Sequence, residues 1–406
     1  MKSKSHTSLL VYDMPPRSAS PVQFWRDFIR TTRKEDVDIL QLFHEDYDQH
    51  LICGDVLNIH NPGAQETFDE YLDRYETVYM ASFMKPSLSI NRQIIPLFPA
   101  VDETQWLNSK FNQYSLFADL KLSVPSHKVI VLGDISAHHL PFFYSLETSS
   151  GGNGNGLITD MDDLAGLKSM YPIQTPILVA EVVQDIKVKP CVAAVCDRFG
   201  NVVVVAMTDQ VTEGNKYAGN VYPSKLAGSL QEDKILREVR ALGAELSKRG
   251  FVGMFGVDYL VDKDGNSWIT DLNPRRIGAY SLLAELFEEP LIKLEFDAYV
   301  GNSIEGTVFA AKHIDEDPQV VGIVGIMYDS ASNAPVVVQS LATTPDMSGE
   351  NYNVDFIEIF YPCENKLHTS SSTIGRARIL ADSYESVILA RKECEKYTQL
   401  NLLRHE

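Results

Sequence analysis

The chain has 406 residues, 44% of them hydrophobic and 22% charged, and carries a formal net charge of −19 at pH 7. That is the make-up of an ordinary globular protein with room for two or three well-packed domains, and the acidic excess argues against nucleic acid and anionic membranes as partners. No apolar run is long enough to span a bilayer, the basic start Met1–His6 lacks the rest of a signal peptide, and five scattered cysteines suggest neither zinc nor a disulfide framework; the cytoplasm is the expected compartment.

In chain order, residues 8–12 read as a strand and 22–32 as a helix, with prolines between them. Val37–Leu42 reads as a second strand, Gln65–Tyr75 as a helix and Thr77–Phe83 as a third strand. Strands alternating with helices imply a small, mostly parallel sheet. No Gly-x-Gly-x-x-Gly follows the first strand, so a dinucleotide site is not expected there. Pro141–Glu147 reads as a strand running into the glycine-rich stretch Thr148–Gly156, ahead of a helix over Met161–Met170. Such a loop can turn backbone N–H groups inward onto phosphate oxygens and can move as a lid. It is not a Walker A loop, because no Gly-Lys-Ser/Thr closes it. A flexible linker is the plainer alternative.

Pro176–Val183 reads as a mostly apolar strand, and Pro190–Cys196 with Asn201–Met207 reads as a hairpin around Asp197–Gly200. Leu230–Arg249 is an amphipathic helix with Ile235, Val239, Leu242 and Leu246 on one face, stopped by Gly250. A second hairpin follows: Phe251–Val261, the turn residues Asp262–Asn266, and Ser267–Asn273. Alternation puts Met254, Gly256, Asp258 and Leu260 on one face of its first strand. Ile269, Asp271 and Asn273 share a face of its second. With Lys263–Asn266 as a four-residue loop, Val261 faces Trp268 or Asp262 faces Ser267, and Asp258 then faces Asp271. Opposed carboxylates repel, so a positive charge is expected between them. Two carboxylates and an amide oxygen suit Mg²⁺, with Mn²⁺ as the alternative ion. A calcium loop beginning at Asp262 fits less well, because Gly265 comes too early and Asn273 stands where a bidentate Glu would be needed. The last part of the chain reads as strands near 320–328, 335–341 and 354–361 and a helix over 382–399.

The hairpin ending in Asp271-Leu272-Asn273-Pro274-Arg275 resembles the signature of the ATP-grasp superfamily, which more often has Glu at the position of Asp271. Asn108-Ser109-Lys110, a helix, then Val124-Pro125 resembles the family's entry into its nucleotide-binding half. The resemblance covers about residues 105–290. Over the whole chain the sequence looks most like the pheganomycin-type peptide ligases and the butirosin-biosynthesis glutamate–carrier-protein ligase, a natural-product setting.

The resemblance implies an α/β protein of ATP-grasp fold, in which two α+β subdomains grip ATP. Residues 1–104 would form a pre-grasp domain and 301–406 a C-terminal α+β domain. Between them, 105–182 would be the lid-bearing half and 183–300 the metal-bearing half. Asp258, Asp271 and Asn273 would hold Mg²⁺. Lys110, Ser150, Gly151, Gly152, Asn153 and Gly154 would contact phosphates, and Glu181, Val182 and Val183 the adenosine. Arg275 would stabilise the transferring phosphate and Arg276 hold a substrate carboxylate. The family usually has a second phosphate-binding lysine just before the glycine loop. Residues 141–156 contain none, which leaves Lys187, Lys189 or the loop backbone to serve.

The activity implied is ADP-forming ligation of a small carboxylate, such as an amino acid, to an amine. Rival readings are transfer to the phosphopantetheine thiol of an acyl carrier protein, a kinase, and a nucleotide-binding regulatory protein. The resemblance allows a homodimer.

Overall fold

The computed structural model describes residues 7–13, 20–43, 54–81, 93–97, 101–150, 153–213, 216–308, 320–328, 336–338, 347, 349–359, 367–368, 372–401 and 403–405. Backbone contacts gather them into two units: residues 100–283 with 303–309, and residues 1–99, 284–302 and 310–406.

The chain opens with β1 (Thr7–Asp13), α1 (Ser20–Arg33), β2 (Asp36–Phe43), β3 (Asp55–Asn58), α2 (Ala64–Leu72), β4 (Thr77–Ala81) and β5 (Gln93–Pro96). These strands form a parallel sheet in the order β3–β2–β1–β4–β5. A parallel sheet needs cover on both faces, and β1 shows how the sequence provides it. Leu9 and Val11 pack with Phe68 and Leu72 of α2. Leu10 and Tyr12 point the other way, to Trp25 and Ile29 of α1. The short strands β3 and β5, with the sequences DVLN and QIIP, carry too little apolar pattern to be read in advance.

The chain continues through α3 (Val101–Leu107), α4 (Lys110–Asp119), β6 (His127–Val131), β7 (Phe142–Ser150), β8 (Asn153–Ile158), α5 (Met161–Met170) and β9 (Pro176–Ala180). The strands make an antiparallel sheet, β6–β9–β7–β8, covered by Leu164 and Leu167 of α5. Helices α4 and α5 begin on side-chain caps: Ser109 accepts from Asn112 N–H at 3.4 Å, and Asp160 accepts from Asp162 and Asp163 N–H at 3.0 and 2.9 Å. Two expectations change here. The strand expected over Pro141–Glu147 runs on to Ser150 as β7, and the glycine-rich stretch supplies β8 from Asn153; Gly151 and Gly152 between them lie outside the described residues. Gly154 has φ +75°, a conformation that glycine adopts without strain, and it falls where the pairing is irregular, between Asn153 and Asn155. The strand expected over 176–183 ends at Ala180, its last paired residue.

Next come β10 (Ile186–Val188), β11 (Pro190–Cys196), β12 (Val202–Glu213), β13 (Lys216–Tyr222), α6 (Leu230–Lys248), β14 (Gly253–Asp262) and β15 (Ser267–Asn273). They form a second antiparallel sheet, β10–β14–β11–β12–β13, in which β15 also pairs with β14. The anticipated face of α6, with Ile235, Val239, Leu242 and Leu246, is fully buried against this sheet beside Val192, Ala194, Phe255 and Val257.

The β14–β15 register is Gly256–Asn273, Val257–Leu272, Asp258–Asp271, then Tyr259–Ile269, Leu260–Trp268 and Val261–Ser267. Asp258 faces Asp271 as expected, but Thr270 is an extra residue, a β-bulge. That corrects two expectations: Val261 faces Ser267 rather than Trp268, and Ile269 does not share a face with Asp271 and Asn273. The bulge reverses the alternation, so Ile269 joins Leu272 in the core.

The remaining elements are α7 (Tyr280–Val300), β16 (Val320–Tyr328), β17 (Val336–Val338), β18 (Tyr352–Ile359), β19 (Leu367–His368), β20 (Ser372–Ala381), α8 (Tyr384–Asn401) and β21 (Leu403–His405). Ile292 and Phe296 of α7 join the α1 side of the parallel sheet. β20 pairs β16 on one edge and β18 on the other, and Arg391 of α8 donates to Gly325 O at 3.0 Å.

Asp197, fully buried at the β11–β12 turn, fastens that turn. Its carboxylate accepts from Phe199 N–H (2.8 Å), from Asn201 N–H and side chain (3.0 and 2.8 Å) and from Ile304 N–H (3.0 Å). Burial alone would push the carboxyl up, but the bonds from Ile304, Asn201 and Phe199 outweigh it and hold it below the usual value. Asp197→Ala is expected to cost roughly 2–4 kcal/mol at neutral pH by stranding these donors. A carboxyl depressed in the folded state stabilises above its unfolded pKa and stops doing so as pH falls through the folded one. The gap in melting temperature between wild type and variant should hold above about pH 5 and narrow below about pH 4.

Candidate active site

Asp258 and Asp271 face each other across the β14–β15 ladder, and one Asp258 oxygen, Oδ1, is buried with no hydrogen-bond partner. The other, Oδ2, accepts from the Asn273 amide at 3.2 Å. Burial pushes the Asp258 carboxyl up, the charge on Asp271 adds to that, and Lys110 opposes it. Cys191 stands opposite Asp258 on β11, and its thiol is pushed up by burial and by the two carboxylates.

The positive charge expected between the carboxylates is the ammonium of Lys110. It is 6% exposed and ion-paired with Asp271. Lys110 sits in the first turn of α4, and the same helix ties itself to β15 through Gln113, which is 1% exposed. The Gln113 amide donates to Leu272 O and Leu107 O, both at 2.7 Å, and its oxygen accepts from Leu272 N–H at 3.1 Å. One side chain thus pairs with both backbone groups of Leu272, as a neighbouring strand would. Ser123 O accepts from Ile269 N–H at 2.8 Å further along the same edge. An edge strand with open backbone groups is thereby closed, and the distance from Lys110 to Asp271 is fixed.

Beyond Asn273 the chain turns tightly. Arg275 N–H donates to Asn273 O at 2.8 Å, and the Arg275 guanidinium donates to Asn273 Oδ1 and Arg276 O, both at 3.1 Å. Two close approaches seat this turn. A Cβ on Gly256 would collide with Ile277, and one on Gly278 would lie 2.7 Å from Tyr217 Cζ. The Tyr217 hydroxyl donates to Asn220, whose amide donates to Thr208 Oγ1 at 2.8 Å.

Two cavities meet at this acidic centre. One, of about 520 Å³, is lined by Tyr114, Phe143, Leu178, Glu181, Val182, Val183, Lys189, Asp258 and Thr270, among others. The other, of about 570 Å³, runs past Asn108, Thr148, Gly154 and Tyr171. Lys110, Ser149, Asp271, Asn273 and Arg275 line both.

The structure therefore brings Lys110, Gly154, Glu181, Val182, Val183, Asp258, Asp271, Asn273 and Arg275 to one connected site. It does not bring Arg276 there: its guanidinium lies 4.8 Å over the Tyr280 ring. Ser150 and Asn153 pair with each other in the β7–β8 ladder, while Gly151 and Gly152 lie outside the described residues. Gln113 and Tyr114 escape sequence reading, because a lone Gln or Tyr has no spacing to mark it.

Among the described residues no group of three or more His, Cys, Asp or Glu is arranged to hold a metal ion. Two carboxylates, one with an orphaned buried oxygen, and an adjacent amide instead fit a hard cation that takes the rest of its shell from phosphate and water, as Mg²⁺ does.

Residues 108–279 match the family model of an ATP-grasp domain. The biotin carboxylase domain of the Hydrogenobacter thermophilus 2-oxoglutarate carboxylase, a dimer crystallised with MgADP, ADP and bicarbonate, has a similar structure. Its TM-score is 0.68 at 12% identity, covering 98% of this chain and 90% of that one. The N5-carboxyaminoimidazole ribonucleotide synthetase of Thermotoga maritima gives a TM-score of 0.62 at 12% identity, covering 98% of this chain and 99% of that one. The chain thus has the ATP-grasp fold. A curated relative, the L-propargylglycine–L-glutamate ligase of Streptantibioticus cattleyicolor, is 34% identical over 101 residues. The match takes in 25% of this chain and 20% of that relative's length. No helix among the described residues is long and apolar enough to cross a membrane.

The Gln113 clip gives a direct test of how the site is held. Gln113→Ala should strand the N–H and C=O of Leu272 and cost roughly 2–4 kcal/mol of stability. Urea unfolding checks this; a loss under about 0.5 kcal/mol would leave the clip without a structural role.

Proposed function

We propose that the chain is an ATP-dependent, ADP-forming carboxylate–amine ligase acting on an amino acid or similar small carboxylate. The observation that carries this is the acidic centre, whose Asp271 stands with Asn273, Lys110 and Arg275 in the wall common to two cavities. One cavity can take a nucleotide and the other its reaction partners, with phosphoryl transfer between them. The relative whose name couples L-propargylglycine with L-glutamate supports amino acids as substrates.

In the first step a substrate carboxylate oxygen attacks the γ-phosphorus, the bond from that phosphorus to the β–γ bridging oxygen breaks, and ADP leaves. In the second an amine attacks the acyl carbon, inorganic phosphate leaves with the carboxylate oxygen, and the amine gives up a proton. The protein's part is positioning and charge neutralisation. Mg²⁺ held by Asp258, Asp271 and Asn273 would supply positive charge to the phosphates. Arg275 is placed to meet charge on the transferring group with a planar donor fork. Lys110 holds Asp271 and faces both cavities, where it can meet phosphate oxygens. The β7–β8 pair, bordering the second cavity at Ser149 and Gly154, can exclude water that would hydrolyse an acyl phosphate.

Asp271→Asn should lower turnover by roughly 10²–10³-fold while the protein stays folded; wild-type turnover in that variant would remove Asp271 from the chemistry. The reaction itself is tested by ¹⁸O in the substrate carboxylate, with amino acids and carrier proteins screened as acceptors for ADP release. Label is expected in inorganic phosphate. Label in AMP would mean adenylate chemistry, and a stable phosphorylated acceptor with no label transfer would mean a kinase. A labelled phosphate formed only with a carrier-protein thiol would make the product a thioester.

A further inference from the structure

The cavity that Glu181 to Val183 border has three cations in its wall: Lys110, Lys189 and Arg275. Lys110 is held by Asp271, and Arg275 by Asn273 and the Arg276 carbonyl. Lys189 differs. Its ammonium donates to the Thr212 hydroxyl at 2.8 Å, and among the described residues no carboxylate lies within ion-pair range of it. It is half-buried, and burial, with no acidic neighbour to oppose it, pushes its pKa down. A charged group held partly out of water beside only a neutral partner is costly unless an anion joins it.

Its backbone is fixed. Lys189 links β10 to β11, and its carbonyl accepts from Gln210 N–H at 2.8 Å. Its side chain crosses to Thr212 on β12, in the same wall as Val183, Ile186 and Gln210. Lys187, two residues earlier, is exposed and lines no part of the cavity. The strand leading to the glycine-rich stretch has no lysine at any position from 141 to 156. The cavity thus lacks a lysine on its β7 wall and has an unmatched one where β10 passes into β11.

We infer that Lys189 binds a phosphate of the nucleotide, supplying from the link between β10 and β11 the positive charge that the β7 strand does not carry. This rests on the ATP reading proposed above. Nucleotide phosphate fits better than a substrate carboxylate because the same cavity holds the apolar surface suited to a base, formed by Phe143, Leu157, Leu178 and Leu260.

The test is calorimetric titration of the full chain in Mg²⁺-containing buffer with adenosine, ADP and a non-hydrolysable ATP analogue. It uses wild type, Lys189→Gln, Lys189→Arg and Lys187→Gln. Lys189→Gln keeps a donor for Thr212 and removes the charge. It should bind ADP and the analogue about 10- to 100-fold more weakly than wild type and bind adenosine equally well. Lys189→Arg should recover most of the loss, and Lys187→Gln should match wild type. Unchanged ADP affinity in Lys189→Gln would overturn the inference and point the ammonium at a substrate carboxylate instead. An equal loss for adenosine and ADP would overturn it too, making Lys189 part of the scaffold. If wild type binds none of the three ligands, the ATP reading fails and this inference with it.

Discussion

Two carboxylates held opposite each other on one antiparallel ladder, with one oxygen sealed from water, set the terms for everything around them. Asp258 and Asp271 repel, and burial sharpens the repulsion because little water is left to screen it. The chain answers with Lys110, whose ammonium is brought onto Asp271 by a separate helix. A divalent cation with phosphates would answer the same need more completely. The helix bearing Lys110, the clip that holds that helix and the turn that brings Arg275 back beside Asn273 all serve this one arrangement of charge.

The arrangement depends on parts that carry no charge. Gln113 does for β15 what a further strand would do, but in one residue's width. That leaves the rest of the strand's edge free to border a cavity. Gly256 and Gly278 matter for the side chains they lack, since Ile277 and the Tyr217 ring occupy the space a Cβ would need. The Arg275–Gly278 turn is thus held by shape, and its guanidinium by hydrogen bonds at 3.1 Å to Asn273 and the Arg276 carbonyl.

The elements with strong periodicity are legible in the sequence. The α6 face and the β14–β15 hairpin follow from spacing alone, because packing and alternation leave few choices; Asp258 meets Asp271 as expected because the bulge at Thr270 offsets a loop one residue longer than the spacing suggests. Legibility fails where one residue breaks a pattern or acts alone. Thr270 has no composition that announces a bulge, so strict alternation puts Ile269 on the wrong face. DVLN and QIIP are too short and mixed to read as strands, although the sheet needs both. The glycine-rich run suggests a loop because glycine permits one, yet Gly156, Asn155 and Asn153 of it pair with Tyr144, Ser145 and Ser150, with an irregularity between the last two pairs. Arg276 stands next to a motif residue and reads as part of the motif, while its neighbour in space is Tyr280.

The bulge at Thr270 has a further meaning for how such a hairpin can change over time. Ile269 pairs with Tyr259 and Asp271 with Asp258, so Thr270 is the one residue of β15 without an opposite number. Its hydroxyl donates to Asp258 O at 3.1 Å, and its side chain borders the cavity that Lys189 lines. A chain shortened by that single residue could still align Tyr259 with Ile269 and Asp258 with Asp271. Elsewhere in the strand, losing one residue would turn every following side chain to the opposite face. Thr270 is therefore the point at which a lineage could gain or lose a residue and reshape the cavity wall while keeping both acids in register.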